Sequence, residues 1–191
     1  MITQQHEDYD RYKDVQVSRS KKKWNSNTFK ENIGIFNSLM SKSVPLIGNR
    51  FSVCCMGIRG GNEYIEFKER FEHATVYGVD ICDDVIKVGD NCFSYDFSNL
   101  PKEWDNKFDV VYSNSIDHSF NAFKTVEEWY RVCKGYIILT MSSFGYTSES
   151  DCVDFNQGDL DILFPEDKFE IIDITTFDNH PVFNVVIRVK K

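Results

Sequence analysis

Residues 51–63 read Phe-Ser-Val-Cys-Cys-Met-Gly-Ile-Arg-Gly-Gly-Asn-Glu, an apolar run followed by three glycines within five residues. The apolar run predicts a buried strand, and the charged, periodic residues from Asn62 onward predict a helix. Glycine at such a turn permits positive φ and close approach to the backbone, and the start of a helix offers unpaired N–H groups to a ligand. A tight strand–helix turn without any ligand explains the same glycines, so both interpretations stay open at this point.

An acidic residue, Asp80, ends the next predicted strand, 23 residues after Gly57. A carboxylate at this place accepts hydrogen bonds from ribose hydroxyls in nucleoside-binding folds. The order of strand, glycine turn, helix, strand and acid is typical of a Rossmann-like fold. The alternative for Asp80 is an ordinary helix N-cap, a position that Asp favours.

Apolar strands and amphipathic helices alternate along the rest of the chain. The predicted strands are 51–56, 75–81, 108–113, 135–141, 169–176 and 182–190, and the predicted helices are 28–40, 62–71, 124–133 and 159–164. This alternation predicts an α/β fold whose mostly parallel sheet has helices on both faces. The last two strands predict a C-terminal antiparallel hairpin. We expect the 28–40 helix to end at Ser-Lys-Ser and Pro45, because proline interrupts helical hydrogen bonding.

The charge of the chain is unevenly distributed over its 191 residues, which carry a net charge of −8. Residues 1–30 hold seven Lys/Arg and four Asp/Glu, which leaves 15 basic and 26 acidic residues, or −11, for the remainder. The acidic body argues against a protein whose whole surface binds nucleic acid. We predict a polar, basic N-terminal segment at 1–27 and a single domain at 28–191.

The basic excess of the N-terminal segment centres on residues 19–23, which contain Arg19 and three consecutive lysines. Such a run is usually a solvated face or a terminus. The alternative is a contact with the phosphates of a nucleic acid.

The cysteine and hydropathy patterns exclude several other classes of protein. Six cysteines are present without a CxxC pair or a Cys/His cluster at ligand spacing, so we predict no metal site. We find no apolar run long enough to span a membrane and no apolar leader, so a reducing cytoplasm is the expected compartment.

Several segments, in order, resemble the class I (Rossmann-like) methyltransferases that use S-adenosylmethionine. They are Val53–Gly61, Tyr77–Asp80, Tyr95–Pro101, Phe108–Phe120 and Glu127–Leu139. The resemblance runs from about Phe51 to the C-terminus. It implies a seven-stranded, mostly parallel sheet with helices on both faces and an antiparallel C-terminal hairpin strand, and S-adenosylmethionine as the cofactor.

The resemblance also implies positions that bind the cofactor. Asp80 would hold the ribose, Asp96 with its neighbour Phe97 the adenine, and Ser113 with Asn114 the methionine part. Gly57 and Gly61 keep the outer positions of the glycine motif. Two residues depart from the pattern, since many members have an acidic residue at Cys55 and a glycine at Arg59.

Arg59 and the nearby Glu63 suit the charged groups of the cofactor's methionine part. A guanidinium pairs with a carboxylate in a planar fork, so Arg59 is a candidate for the methionine carboxylate. Glu63 is a candidate for the methionine ammonium, and a helix cap is its alternative. If Arg59 instead fills the pocket, the fold would bind nothing.

Asp117 and His118 follow the strand 108–113, at the edge where the resemblance expects the methyl acceptor. A neutral imidazole can take a proton from an acceptor hydroxyl, and Asp117 can orient it or bind the acceptor. The alternative is that both residues cap a helix or satisfy loop backbone. Phe144 and Tyr146, after the next strand, are candidates to line the acceptor pocket, and the alternative is that these loop aromatics only cover the sheet edge.

The sequence therefore predicts an S-adenosylmethionine-dependent methyltransferase acting on a small-molecule or sugar-like acceptor. One alternative is a nucleic-acid or protein methyltransferase that docks through the basic N-terminal segment. Another is a non-catalytic module of the same fold that acts as a partner subunit.

Overall fold

The computed structural model describes residues 3–4, 6–24, 33–48, 50–142, 147–178 and 181–191. The strands are β1 (Thr3–Gln4), β2 (Ser52–Met56), β3 (Thr75–Asp80), β4 (Cys92–Ser94), β5 (Phe108–Ser113), β6 (Cys133–Ser142), β7 (Val153–Asp154), β8 (Phe169–Thr176) and β9 (Val182–Val189). The α-helices are α1 (Tyr9–Lys22), α2 (Ile33–Ile47), α3 (Asn62–Arg70), α4 (Ala122–Val132) and α5 (Leu160–Leu163).

Seven of the strands form one sheet in the order β4-β3-β2-β5-β6-β9-β8. The five strands from β4 to β6 are parallel, and β9 runs antiparallel to both of its neighbours. The predicted Rossmann-like fold with a C-terminal hairpin is confirmed. Among the seven strands of this sheet, the hydropathy pattern missed β4, because three residues are too few to show a period. It also missed the two-residue strands β1 and β7.

The sheet is buried on both faces, which explains its uninterrupted apolar strands. In β2, Val53 and Cys55 pack into one core with α2 and α3, while Cys54 and Met56 pack into the other core with α4 and α5. Alternate residues of a strand point to opposite faces, so a strand covered on both sides must be apolar at every position. All six cysteines are buried free thiols.

Helix α2 corrects the predicted helix end, because it continues through Pro45 to Ile47. Its apolar face explains the continuation, since Val44 and Ile47 still pack on the core behind β2. The hydroxyl of Ser43 donates to the Leu39 carbonyl at 2.8 Å and so stays satisfied inside the helix. Residues 28–32, where the predicted helix starts, lie outside the described residues.

Helix α1 lies across the carboxyl ends of the parallel strands and is tied to the segment that follows β6. Asp8 caps it by accepting from the Arg11 N–H at 3.0 Å. Gln16 donates to the Ser150 carbonyl at 2.9 Å, and Arg19 pairs with Asp151 at 2.9 Å. The short strand β1 pairs with β7 just beyond this segment. No helix in the described part of the chain is long and apolar enough to cross a bilayer.

Gly61, at the N-cap of α3, offers a stability test of the glycine turn. It has φ of 84°, and a Cβ there would lie 2.2 Å from Cγ1 of Val88. We expect Gly61→Ala to lower the free energy of unfolding by about 2–4 kcal/mol. That is a fall in Tm of roughly 5–15 °C, measured by calorimetry.

Gly34 is the matched control, because a Cβ at this position in α2 meets nothing within 4 Å. Gly34→Ala should leave Tm unchanged or raise it slightly, since alanine favours a helix more than glycine does. Equal Tm values for the two variants would contradict the steric account of Gly61.

Candidate active site

The carboxyl ends of β2, β3 and β5 open into two adjoining cavities beneath helix α1. The larger has a volume of about 250 Å³ and the smaller about 30 Å³. Residues shared by both cavities are Arg19, Gly57, Arg59, Ser115 and His118. This is the edge of an open α/β sheet where ligands bind.

The glycine turn after β2 contains residues with positive φ, a backbone conformation that most residue types rarely adopt. Gly57 has φ of 76°, and a Cβ there would lie 2.7 Å from Cβ of Ser115. Arg59 stands where the family pattern has glycine, yet it keeps a left-handed φ of 45°. The turn therefore retains the conformation of the motif, at the cost of strain in a non-glycine residue.

Asp80 holds this turn from the end of β3. Its buried carboxylate accepts the Arg59 N–H at 2.8 Å and the Cys82 N–H at 2.9 Å. The Ser20 hydroxyl of α1 lies 3.5 Å from the same carboxylate. Burial raises the pKa of Asp80, because the charged form loses hydration.

Asp96 lies beyond Asp80, in the loop after β4. It accepts the Tyr9 hydroxyl at 2.5 Å and the Ser98 N–H at 2.7 Å. Asp80, Asp96 and Phe97 line the smaller cavity together with Tyr12 and Gln16 of α1. Side chains of α1 thus cover the three positions that the resemblance assigns to adenosine.

Two residues of opposite formal charge, Glu63 and Arg59, line the larger cavity. Glu63 is buried in the first turn of α3 and accepts the Asn114 amide N–H at 2.8 Å. Burial raises the pKa of Glu63 to about 7. Burial, and next the positive charge of Arg19, lower the pKa of Arg59.

These groups fit the methionine end of an S-adenosylmethionine molecule. The Arg59 Nε is buried and has no hydrogen-bond partner among the described residues. A buried donor without a partner is costly, so this atom is suited to an incoming carboxylate. Glu63 supplies the complementary carboxylate for the methionine ammonium. Gly57 and Gly60 have no Cβ atoms, so a ligand can approach the backbone of the turn at these two positions.

His118 is fixed through its Nδ1 atom. Nδ1 lies 2.8 Å from the Ser150 carbonyl oxygen, which can only accept, so Nδ1 carries the hydrogen. Nε2 is then the ring atom that can accept a proton. Asp151 Oδ1 lies 3.3 Å from Nδ1 and Asp117 Oδ1 lies 3.9 Å away, so the nearer carboxylate is not the one predicted from the sequence.

Asp117, His118 and Asp151 bring their ligand atoms within 4.8 Å of one another, a spacing that could hold a metal ion. Each group already has a protein partner. The Ser142 hydroxyl donates to Asp117 at 2.8 Å, and Arg19 pairs with Asp151. The Arg19 guanidinium therefore supplies the positive charge to this cluster.

Nine of the eleven predicted site residues line the two cavities. They are Gly57, Arg59, Glu63, Asp80, Asp96, Phe97, Asn114, Asp117 and His118. Gly61 and Ser113 line neither cavity. The buried Ser113 hydroxyl instead joins β5 to β2 by donating to the Met56 carbonyl at 3.1 Å.

Sequence reasoning missed the residues that reach the site from distant segments. They are Tyr9, Tyr12, Gln16 and Ser20 of α1, with Ser142 and Asp151. Ser115 was also missed, although it follows the predicted Asn114 directly. Arg19 and Lys23 were visible only as part of a basic run. Asp151 carries no local signal, and Phe144 and Tyr146 lie outside the described residues.

Residues 54–139 match a family model described as a methyltransferase domain. This part of the chain is therefore similar to a methyltransferase family. The match spans β2 to β6 and so includes the glycine turn, Asp80, Asp96 and His118. The five segments that resemble the S-adenosylmethionine-dependent methyltransferases begin within two residues of this matched range or inside it.

Solved structures support the fold of this chain at low sequence identity. One is the Burkholderia thailandensis 1,6-didemethyltoxoflavin-N1-methyltransferase with bound 1,6-didemethyltoxoflavin and S-adenosylhomocysteine, with a TM-score of 0.75, 13% identity, and coverage of 97% of this chain and 92% of that one. Another is the Streptomyces coelicolor geranyl diphosphate C-methyltransferase, with a TM-score of 0.63, 8% identity, and coverage of 81% and 77%. The [4+2]-cyclase SpnF matches with a TM-score of 0.68, 12% identity, and coverage of 80% and 78%. The comparison of this sequence with curated proteins found no match.

Glu63 predicts a pH dependence of cofactor binding. If the Glu63 carboxylate pairs with the methionine ammonium, protonation of a group with a pKa of about 7 must weaken binding at acidic pH. We expect the affinity for S-adenosylhomocysteine to be roughly 30-fold lower at pH 5.5 than above pH 8, where it levels off. Titration calorimetry across this range measures the effect.

Glu63→Gln is the control for this titration, because it keeps the side-chain shape without the titrating group. The variant should bind S-adenosylhomocysteine weakly, with an affinity that changes little between pH 5.5 and 8.5. The charged neighbours Arg59 and Asp80 remain in this variant. An equally steep pH dependence in Glu63→Gln would therefore assign the titration to another group.

Proposed function

We propose that this protein transfers a methyl group from S-adenosylmethionine to an oxygen or nitrogen atom of a small-molecule or sugar-like acceptor. The observation that carries the proposal is the cavity of about 250 Å³, which combines the methionine-binding candidates with His118 under a helical cover. Small-molecule sites usually measure roughly 300–1,000 Å³, so this cavity suits a small acceptor beside the methionine part.

The bound cofactor would supply an electrophilic methyl group whose C–S bonding electrons leave with sulfur. The protein's part is to hold the acceptor in line with that group and to remove its proton. His118 Nε2 is the acceptor for that proton, because Nδ1 already donates to the Ser150 carbonyl. Asp151 and Asp117 stabilise the resulting imidazolium from 3.3 and 3.9 Å.

The cofactor-binding half of the proposal rests on charge complementarity. Arg59 and Glu63 form a matched pair for the carboxylate and ammonium of methionine. Asp80 would take the ribose hydroxyls and Asp96 the adenine amino group. In this role, Ser20 and Tyr9 of α1 must give up their contacts with the two carboxylates, so α1 is expected to shift when the cofactor binds.

A nucleic-acid or protein substrate is the second candidate, because Lys21, Lys22 and Lys23 are exposed at the end of α1. The fourth cation of the run, Arg19, instead pairs with Asp151 inside the site. Replacing Lys21 and Lys22 by Gln separates the two candidates. Methylation of RNA or protein should fall, whereas methylation of a small acceptor should not change.

A non-catalytic module is the third candidate, and SpnF illustrates that this fold also occurs in a protein named for another reaction. Calorimetry with S-adenosylhomocysteine tests it first, since folded protein that releases no heat would exclude both enzyme proposals. A screen with methyl-labelled S-adenosylmethionine against sugars, small metabolites and RNA then identifies the acceptor. Label transfer only to RNA or protein would overturn the small-acceptor proposal.

A further inference from the structure

Two cations at the C-terminal end of α1 line the larger cavity, Arg19 in the last turn and Lys23 at the C-cap. Arg19 and Lys23 are four residues apart, which places them on the same side of the helix end. Both line the cavity, whereas Lys21 and Lys22 do not. Lys23 has no ion-pair partner among the described residues, and the Arg19 side chain is only 21% exposed.

The two guanidinium groups of the site influence each other. The charge of Arg19 is the second-largest cause, after burial, of the lowered pKa of Arg59. Like charges that converge in a half-buried cavity are costly unless anions accompany them. Asp151 forms an ion pair with Arg19 at 2.9 Å. Under the proposed function, a carboxylate of the cofactor would form an ion pair with Arg59.

The formal charges of the cavity and of the bound cofactor then sum to one positive charge, which one anion would neutralise. The formal charges of Arg19 and Lys23 balance those of Asp117 and Asp151, all of which line the larger cavity. Arg59 and Glu63 balance the carboxylate and ammonium of the cofactor's methionine part. The sulfonium adds one further positive charge, which a negatively charged acceptor would neutralise.

Apolar residues form part of the lining of the larger cavity. Trp24, Ile35, Phe36 and Val182 line the cavity beside the charged groups. Apolar walls with a few convergent charges suit an aromatic or alkyl body that carries one charged group.

We propose that the acceptor is a small organic anion, whose carboxylate or phosphate is bound by Arg19 and Lys23 and whose apolar body lies against Trp24 and Phe36. This inference rests on the proposed function, because it names the class of acceptor for the same site. Phosphate and carboxylate are alike here as oxyanions that a guanidinium and an ammonium recognise.

The test compares acids with a neutral isostere in the full chain saturated with sinefungin, an S-adenosylmethionine analogue whose ammonium group replaces the sulfonium charge. Calorimetric titrations use 4-hydroxybenzoate, 4-hydroxyphenyl phosphate and 4-hydroxybenzamide. We expect at least one of the two acids to bind about tenfold or more tightly than the amide. The better acid identifies whether the oxyanion is a carboxylate or a phosphate.

Three variants assign this discrimination to the named residues. Arg19→Gln and Lys23→Gln should each reduce the preference for the acid by about threefold or more. Lys22→Gln is the matched control, because this exposed lysine lies in the same turn but outside the cavity, and it should behave like the wild type. Since Arg19→Gln also breaks the pair with Asp151, the Lys23 variant keeps the test independent of helix docking.

Equal affinity for acid and amide would overturn the proposal, as would a preference that survives both cavity substitutions. No binding of either acid at about 10 mM would also overturn it. Failure of S-adenosylhomocysteine to bind is a separate result, which would overturn the proposed function and this inference with it.

Discussion

Replacing Asp80 by alanine is expected to weaken binding of S-adenosylhomocysteine by about 100-fold or more. The variant removes a carboxylate proposed to accept both ribose hydroxyls, and hydrogen bonds to a charged group contribute about 1.5–3 kcal/mol each. It also releases the Arg59 N–H, which Asp80 accepts at 2.8 Å and which holds the glycine turn. Titration calorimetry at pH 8, where Glu63 is ionised, measures the change.

Asp90→Ala serves as the control for this experiment, because Asp90 is an exposed acid in the loop that follows β3. Its affinity for S-adenosylhomocysteine should stay within twofold of the wild type. The Tm of each variant shows whether the turn still folds. Unchanged affinity in folded Asp80→Ala would refute the ribose assignment and would leave Asp80 as a purely structural brace of the turn.

Methyl transfer to the acceptor found by the labelled screen is expected to fall by roughly 10²–10⁴-fold in His118→Asn. The asparagine amide can still donate to the Ser150 carbonyl, so the loop after β6 should keep its position. Only the proton acceptor, Nε2, is lost. Single-turnover rates measured against pH provide the readout, and the rise that reports ionisation of the base should disappear in the variant.

Binding of S-adenosylhomocysteine provides the internal control for His118→Asn, and its affinity should change by less than about threefold. Asp151→Asn tests the positioning of the imidazole, since Asp151 lies 3.3 Å from Nδ1. That variant should shift the pH profile of the reaction without abolishing it. A normal rate in His118→Asn would mean that alignment of the acceptor is sufficient and that the imidazole has no role as a base.

Much of the fold could be predicted because each layer leaves a local pattern in the sequence. Strands buried on both faces must be continuously apolar, and the helices that cover them must be amphipathic. The continuation of α2 through Pro45 could not be predicted in this way. Its cause is long-range packing of Val44 and Ile47, which outweighs the local preference of proline.

The sequence by itself determined the sheet, the glycine turn and the acidic strand end at Asp80, because these depend on short-range patterns of apolar residues, glycines and charges. Only the tertiary structure decided which side chains face the cavities. It placed Arg19, which the sequence offered only as part of a basic docking segment, inside the site, where it pairs with Asp151. It also brought Asp151 within 3.3 Å of His118, although 33 residues separate them. Such contacts depend on how α1 and the segment after β6 fold over the sheet edge, and no local pattern encodes that packing.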